Sequence, residues 1–167
     1  MLKTANSARM QVVPDLLAPN FRITTYSMVN SFVNQQRVWM ETMRMDPATL
    51  LIYMIVALAA VQKVARLPEI PDEIRGLTPL PTDMVGSISR RAVAASSGIP
   101  REQVRRIINE LLESGRLIPA GRNAVRVPRD NARGENFVHV PALLLIDIIR
   151  MVDELRGLGV VADQSIA

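Results

Sequence analysis

The sequence contains no cysteine and only one histidine, His139, among its 167 residues. Disulfides, thiolate metal sites, iron–sulfur clusters and cysteine nucleophiles are therefore excluded, and one chain cannot supply a metal site with two or three histidines. Aromatic residues make up only 4 % of the chain, so its core has to be aliphatic, with nine methionines as adaptable filler. No phosphate-binding loop and no Gly-x-Gly-x-x-Gly pattern occurs. We therefore expect no cofactor, no metal and no enzymatic activity.

Lysine is also scarce, because 18 of the 20 basic residues are arginine. Part of this excess is typical of a composition bias toward arginine codons, but its distribution is uneven. Residues 87–133 hold ten arginines against four acids, a net charge of +6, so the rest of the chain carries −2 of the total +4. One basic segment on an otherwise neutral scaffold is typical of a nucleic-acid-binding module, since arginine suits phosphate and guanine recognition.

The chain shows neither a secretory signal nor an apolar run that matches a bilayer. Its first 20 residues lack the apolar centre of a signal peptide. The longest apolar run, residues 50–61, would rise about 18 Å as a helix, against roughly 30 Å of hydrocarbon. The sequence therefore predicts a cytoplasmic protein without a membrane span, in which this run forms a buried or interfacial helix.

Composition and periodicity divide the chain outside the basic segment into four parts. Residues 1–20, with two prolines and no regular period, are predicted to form a flexible arm. Residues 21–66 are predicted to form a helical scaffold, in which Asp46 and Pro47 start the second helix as N-cap and first helical residue. Residues 67–86 are rich in proline and form a linker. Residues 137–160 contain a last helix, predicted to begin at Pro141 and to end at the glycines that follow residue 156.

The basic segment carries the signature of two helices joined by a tight turn. Ser89 is suited to N-cap a helix over residues 90–97. Gly98 allows the positive φ of a turn, and the small Ala94 allows a second helix to cross closely. Pro100 is suited to start that second helix. Its apolar residues recur at i, i+3, i+4, i+7 and i+8, as Val104, Ile107, Ile108, Leu111 and Leu112.

This pattern resembles the helix-turn-helix of bacterial winged-helix transcription regulators of the MarR/GntR-like kind, over about residues 88–128. The matching residues are Ala94, Gly98, Ile99, Val104 and Ile107, together with the run Leu-Leu-Glu-Ser-Gly-Arg-Leu-Ile that ends at residue 118. The resemblance implies a mainly α fold: a winged helix-turn-helix with a two-stranded β wing at residues 87–130, plus long N-terminal helices and a C-terminal helix for dimerisation.

The chain departs from the family pattern in one respect. The first helix of the module normally lies a few residues before the second, whereas about 20 proline-rich residues precede Ser89 here. Either this loop is an insertion, or a short first helix lies near residues 82–86.

The resemblance also assigns roles to individual side chains. A recognition helix places its N-terminal residues nearest the bases in the major groove. The side chains predicted to reach base edges are Arg101, Gln103 and Arg106. Two short strands, residues 116–120 and 124–128, are predicted to form the wing. The side chains predicted to contact the DNA backbone are Ser89, Arg90, Arg91, Arg105, Arg122 and Arg126.

The sequence thus predicts a sequence-specific regulator of transcription that binds double-stranded DNA as a homodimer. Dimerisation is expected because the second and last helices carry more apolar surface than a small monomer exposes. A small-molecule effector has no support in the sequence. Two alternatives stay open: a winged-helix module used for protein contacts with its arginines solvated, and a helical protein associated with a membrane surface through residues 50–61.

Overall fold

The computed structural model describes residues 10–76, 78–129 and 135–164, which are mainly helical with two small antiparallel sheets. The chain divides into two compact units. The central unit is Met40–Val138, and the terminal unit combines Met1–Trp39 with His139–Ala167. The helix α1 (Phe21–Met43) spans the first division, and α6 (Glu135–Gly157) spans the second. The helical content confirms the predicted class.

The central unit begins with α2 (Pro47–Ala65), whose start confirms the sequence-based prediction. The Asp46 carboxylate accepts hydrogen bonds from the backbone N–H groups of Ala48 (3.0 Å) and Thr49 (3.2 Å), two donors that a helix terminus otherwise leaves unpaired. The Thr49 hydroxyl donates to the same carboxylate at 2.5 Å. Proline at the first helical position sacrifices no hydrogen bond, so the cap fixes where α2 begins.

The apolar composition of α2 suggests a helix that is enclosed on all sides, but in the structure only one of its sides is buried. Six residues pack inward: Leu50, Ile52, Tyr53, Val56, Ala60 and Val64. Leu51, Leu58 and Val61 are exposed on the other side. The helix has 19 residues and a mean hydropathy of 1.9, so by length and composition it could cross a membrane, because it extends the 12-residue run at both ends. In this structure its buried side packs against the other elements of the central unit.

The proline-rich segment after α2 leads back to the same helix. After one short helix, α3 (Asp72–Arg75), the backbone N–H of Gly86 donates to the carbonyl of Ala60 at 2.9 Å. A Cβ on Gly86 would lie 2.0 Å from the carbonyl oxygen of Ala59, so only glycine allows this approach. The described part of residues 82–86 contains no helix. Of the two predicted possibilities, a short first helix near residues 82–86 is therefore wrong.

The remaining elements of the central unit follow the predicted order. They are β2 (Ile88–Ser89), α4 (Arg90–Ser97), α5 (Arg101–Glu113), β3 (Ile118–Pro119) and β4 (Ala124–Arg126). The antiparallel sheet has the order β2-β4-β3, with Ile88 opposite Val125 and Ile118 opposite Arg126. The predicted hairpin is present, and β2 adds a third strand that is too short for an alternation pattern. Both α4 and α5 pack against α2.

The terminal unit pairs the two ends of the described chain. The strand β1 (Met10–Val12) runs antiparallel to β5 (Val161–Asp163), with Gln11 opposite Ala162, and a single 3-10 turn (Pro14–Leu16) follows β1. The predicted flexible arm is thus wrong for residues 10–16. The backbone partners of residues 10–13 lie at the other end of the described chain, so no local signal reveals them. Residues 1–9 of that arm lie outside the described residues.

The helix α6 begins earlier than predicted, at Glu135, and contains Pro141. Proline lacks the N–H that would bond the carbonyl four residues earlier, which is why it is typical of a first helical turn. Here one missing hydrogen bond is tolerated within 23 helical residues. The predicted end at the glycines is confirmed, since Gly159 adopts a positive φ of 73°.

Candidate nucleic-acid interface

The turn between α4 and α5 has the conformation that the sequence predicts. The Ser89 hydroxyl accepts a hydrogen bond from the N–H of Ala92 at 3.1 Å and so caps α4. Gly98 ends α4 with φ of 67°, in the left-handed region that side chains with a Cβ disfavour. Ala94 is buried where the two helices meet. The cap and the turn together determine the direction of α5 relative to α4.

The helix α5 separates apolar from charged residues sharply. Val104, Ile107, Ile108 and Leu111 are buried, and Leu112 is half-buried at the edge of the same stripe. The opposite side carries exposed polar residues: Glu102, Gln103, Arg105, Arg106, Glu110 and Glu113. Arg101 is exposed as well, at the first turn of the helix. The apolar stripe attaches the helix to the core, so its polar side faces outward along its whole length.

The three residues predicted to reach base edges are all exposed, but they do not point the same way. At about 100° per residue, Arg106 lies near the middle of the outward side and Gln103 on one flank, whereas Arg101 lies at the angle of the apolar stripe, in the first turn of the helix. The Arg106 guanidinium is only loosely paired, with its Nε 3.9 Å from Glu110. These positions do not test the base contacts of the three residues, which stay predictions.

Arg105 has a partner that the prediction of a phosphate contact overlooked. Its Nε donates to both carboxylate oxygens of Glu102, at 3.1 Å and 3.0 Å, and its Nη2 donates at 2.5 Å. This bidentate hydrogen bond, with the attraction between the charges, holds the pKa of Glu102 below its ordinary value and raises that of Arg105. The i, i+3 spacing of the two residues is a signal in the sequence that could have revealed the pair.

Arg90 and Arg91 begin α4 but have different surroundings. Arg91 is exposed, and no hydrogen bond or ion pair joins it to the described residues. Arg90 is half-buried, and its Nη1 donates to Oδ1 of Asn109 on α5 at 3.0 Å. The backbone N–H of Arg90 also donates to the carbonyl of Asn123 at 3.1 Å. Arg90 thus joins α4 to α5, and its predicted contact with the DNA backbone stays a prediction.

The β3–β4 hairpin places one arginine outward and another inward. Gly121 has a φ of 79°, and Arg122 follows it at the exposed tip, as predicted. Arg126 lies in β4 between β2 and β3 and is half-buried, with its Nε buried and without a hydrogen-bond partner among the described residues. Its predicted contact with the DNA backbone stays a prediction, which this nitrogen cannot supply.

Sequence reasoning missed two residues of this surface, Glu102 and Asn109. Glu102 can be found from its spacing to Arg105. Asn109 has no such signal, because its contact with Arg90 joins residues 19 positions apart on different helices.

Neither a metal centre nor a relative supplies further evidence. Within the described ranges, no group of three or more histidine, aspartate or glutamate side chains could hold a metal ion. The only histidine, His139, is exposed. Comparisons with protein-family models, curated proteins and solved structures find no match to this chain. The case for a function therefore depends on the geometry of the central unit.

Proposed function

We propose that the central unit is a winged helix-turn-helix module, and that the protein is a sequence-specific regulator of transcription that binds double-stranded DNA. The observation that carries the proposal is α5, which buries one apolar stripe and directs an arginine-rich polar side outward. The order helix, strand, helix, turn, helix and hairpin, with sheet order β2-β4-β3, supports the assignment. A helix presented in this way fits the width of the major groove.

The roles of the side chains follow from their exposure. Arg106, Gln103 and Arg101 are proposed to read base edges, since arginine pairs with guanine and glutamine with adenine. The side chains proposed to contact phosphates are Ser89, Arg91 and Arg122, and Arg105 joins them only when it is released from Glu102. Arg90 is a positioning residue, because its guanidinium holds Asn109 of α5.

The proposal is tested by measuring the affinity of the full chain for DNA selected from random fragments, over a range of salt concentrations. Each phosphate contact contributes about −0.9 to the slope of log affinity against log salt. Arg122→Ala should weaken binding to all sequences and flatten the slope by about one contact. Arg106→Ala should instead cost about 1–3 kcal/mol on the selected site and relax its specificity.

Arg66→Ala is the matched control, because Arg66 is an exposed arginine at the end of α2, outside the proposed interface. It should leave both the slope and the specificity unchanged. If Arg122→Ala and Arg106→Ala also bind selected and random DNA like the parent, the arginines are solvated and the module serves protein contacts instead. If the protein sediments with membranes and retains no DNA, the apolar side of α2 carries the function.

A further inference from the structure

The two helices of the terminal unit contact each other through polar side chains. On α1, Thr24, Ser27 and Ser31 are buried. The Ser27 hydroxyl donates to the carboxylate of Glu154, and the Ser31 hydroxyl donates to Oδ2 of Asp147 at 2.5 Å. From one hydrogen bond to the next, the residue number rises on α1 and falls on α6, so the two helices are antiparallel. We call these four hydrogen-bonded residues the polar seam.

Many apolar side chains of the same two helices are exposed. Eleven of them have more than half of their surface in solvent, seven on α1 and four on α6. They are Phe21, Ile23, Tyr26, Met28, Val29, Phe32, Val33, Leu143, Leu145, Ile146 and Ile149. The polarity of α1 is thus inverted relative to a helix of a hairpin that folds alone, which buries apolar residues and exposes polar ones, whereas α6 buries Val140 and Leu155 as well as exposing apolar residues. We call these eleven residues the outer apolar surface.

The outer apolar surface is large enough for a stable interface. At roughly 100 Å² for each side chain it amounts to on the order of 1,000 Å². The largest patch on a typical monomer is about 300–600 Å², and a standard interface buries about 800 Å² of each partner. The polar seam buries little apolar surface, so its hydrogen bonds give α1 and α6 only modest net stability. Covering the outer surface would supply the missing hydrophobic stabilisation.

A second copy of this chain fits that surface better than a membrane does. A helix lying on a bilayer needs its polar side toward water and headgroups, with its apolar side in the acyl region. Here the polar side of α1 faces α6, through Ser27–Glu154 and Ser31–Asp147, and is not available to water and headgroups. The exposed apolar residues of α1 occupy its remaining sides, as expected when a partner also supplies two helices.

We propose that α1 and α6 of two copies form an intermolecular four-helix assembly, with the outer apolar surfaces as its core and a polar seam inside each copy. Folding of the terminal unit is then coupled to dimerisation. This proposal does not rest on DNA binding. It differs from the sequence-based expectation in excluding the apolar side of α2 from the interface.

Sedimentation equilibrium of the full chain tests the proposal with three variants. Val33→Arg on α1 and Ile149→Arg on α6 place a charge in the proposed core, and each should raise the dimer dissociation constant by roughly 100-fold. Leu58→Arg is the matched control, because Leu58 is 68 % exposed on α2 of the central unit. That variant should remain a dimer. Dissociation by Leu58→Arg alone would overturn the proposal, as would a parent protein that stays monomeric at micromolar concentration.

A second measurement distinguishes a lost interface from a variant that fails to fold. Because the chain has no cysteine, Val33→Cys and Leu58→Cys can each carry a single spin label. The label at residue 33 should become immobilised as the protein is concentrated, whereas the label at residue 58 should not change. The parent's thermal midpoint should also rise with concentration. Immobilisation at residue 33 only when anionic vesicles are added would assign the surface to a membrane and overturn the proposal.

Discussion

The central and terminal units place polar and apolar residues in opposite ways. In the central unit, Val93, Val104 and Ile108 are fully or almost fully buried, and the charged side of α5 faces outward. In the terminal unit, α1 buries Ser27 and Ser31 against α6 and exposes most of its apolar residues. Both units are built from amphipathic helices, but one has its own hydrophobic core and the other largely lacks one.

The difference separates local stability from the need for a partner. The terminal unit buries Val140, Leu155 and Val160, and its β1–β5 ribbon has only two strands. A two-stranded ribbon and a pair of helices with a polar contact are both marginal in water. The central unit, in contrast, packs three helices and a three-stranded sheet around aliphatic side chains. We expect substitutions in the central unit to act on folding, and substitutions on the outer apolar surface to act on association.

The largest effect on folding is expected from Ile108→Ala. Ile108 is completely buried on α5, so truncation should leave a cavity and lower the free energy of unfolding by about 2–5 kcal/mol. Urea denaturation followed by circular dichroism measures the change. Leu58→Ala, at an exposed position on α2, should change stability by less than about 0.5 kcal/mol. Equal losses for the two variants would mean that the outer side of α2 is covered too.

Gly86→Ala is expected to have the next largest effect. The new Cβ would lie 2.0 Å from the backbone oxygen of Ala59, so either the loop or α2 has to move, at a cost of about 1–3 kcal/mol. Gly76→Ala in the same proline-rich segment meets no atom within 4 Å and has a negative φ, which makes it the matched control. Thermal denaturation should separate the two variants. Similar midpoints would show that residue 86 does not need to approach α2 closely.

Local sequence patterns predicted the central unit well. The N-caps at Asp46 and Ser89, the turn at Gly98 and the apolar stripe of α5 depend on neighbours within one or two helical turns, and the structure confirms each of them. The same patterns could not predict the packing of α2, because a proline-rich segment of about 20 residues separates it from α4. Nor could they show that Arg90 reaches Asn109 or that the Nε of Arg126 is buried.

The terminal unit was harder to predict, because its contacts join the two ends of the chain. Serines within α1 look like solvent-exposed residues until their carboxylate partners on α6 are known, 116 and 127 positions away. The pairing of β1 with β5 has the same origin. The orientation of α1 was not visible in its periodicity, because Val29, Phe32 and Val33 recur at i, i+3 and i+4, a spacing that is typical of a stripe facing the core.

A smaller effect is expected at Asp46, where α2 begins. Asp46→Ala removes a capping acceptor and should cost about 1 kcal/mol, whereas Asp46→Asn should keep most of the cap. The hydrogen bond from Thr49, followed by those from the backbone, lowers the pKa of Asp46 below 3.8 despite some desolvation. A lowered pKa in the folded state means that the carboxylate stabilises the protein above pH 3.8 and loses this contribution as the pH falls through the lowered value. The thermal midpoints of the parent and of Asp46→Asn should therefore differ at neutral pH and approach each other at acidic pH. A constant difference would contradict the shift.

The smallest effect concerns the pair that holds Arg105 on the surface of α5, and it rests on the proposed binding of DNA. Glu102→Gln removes the carboxylate that holds Arg105, so the guanidinium becomes available to a phosphate. The slope of log affinity against log salt should then steepen by about 0.9, with little change in stability. Arg105→Ala should have little effect alone but should abolish the gain in the Glu102→Gln background, which a double-mutant cycle measures. Glu113→Gln is the matched control, since it removes the same charge from the exposed side of α5 without releasing an arginine that the structure pairs with it. If Glu113→Gln steepens the slope as much as Glu102→Gln, net charge alone sets the affinity and Arg105 has no separate role.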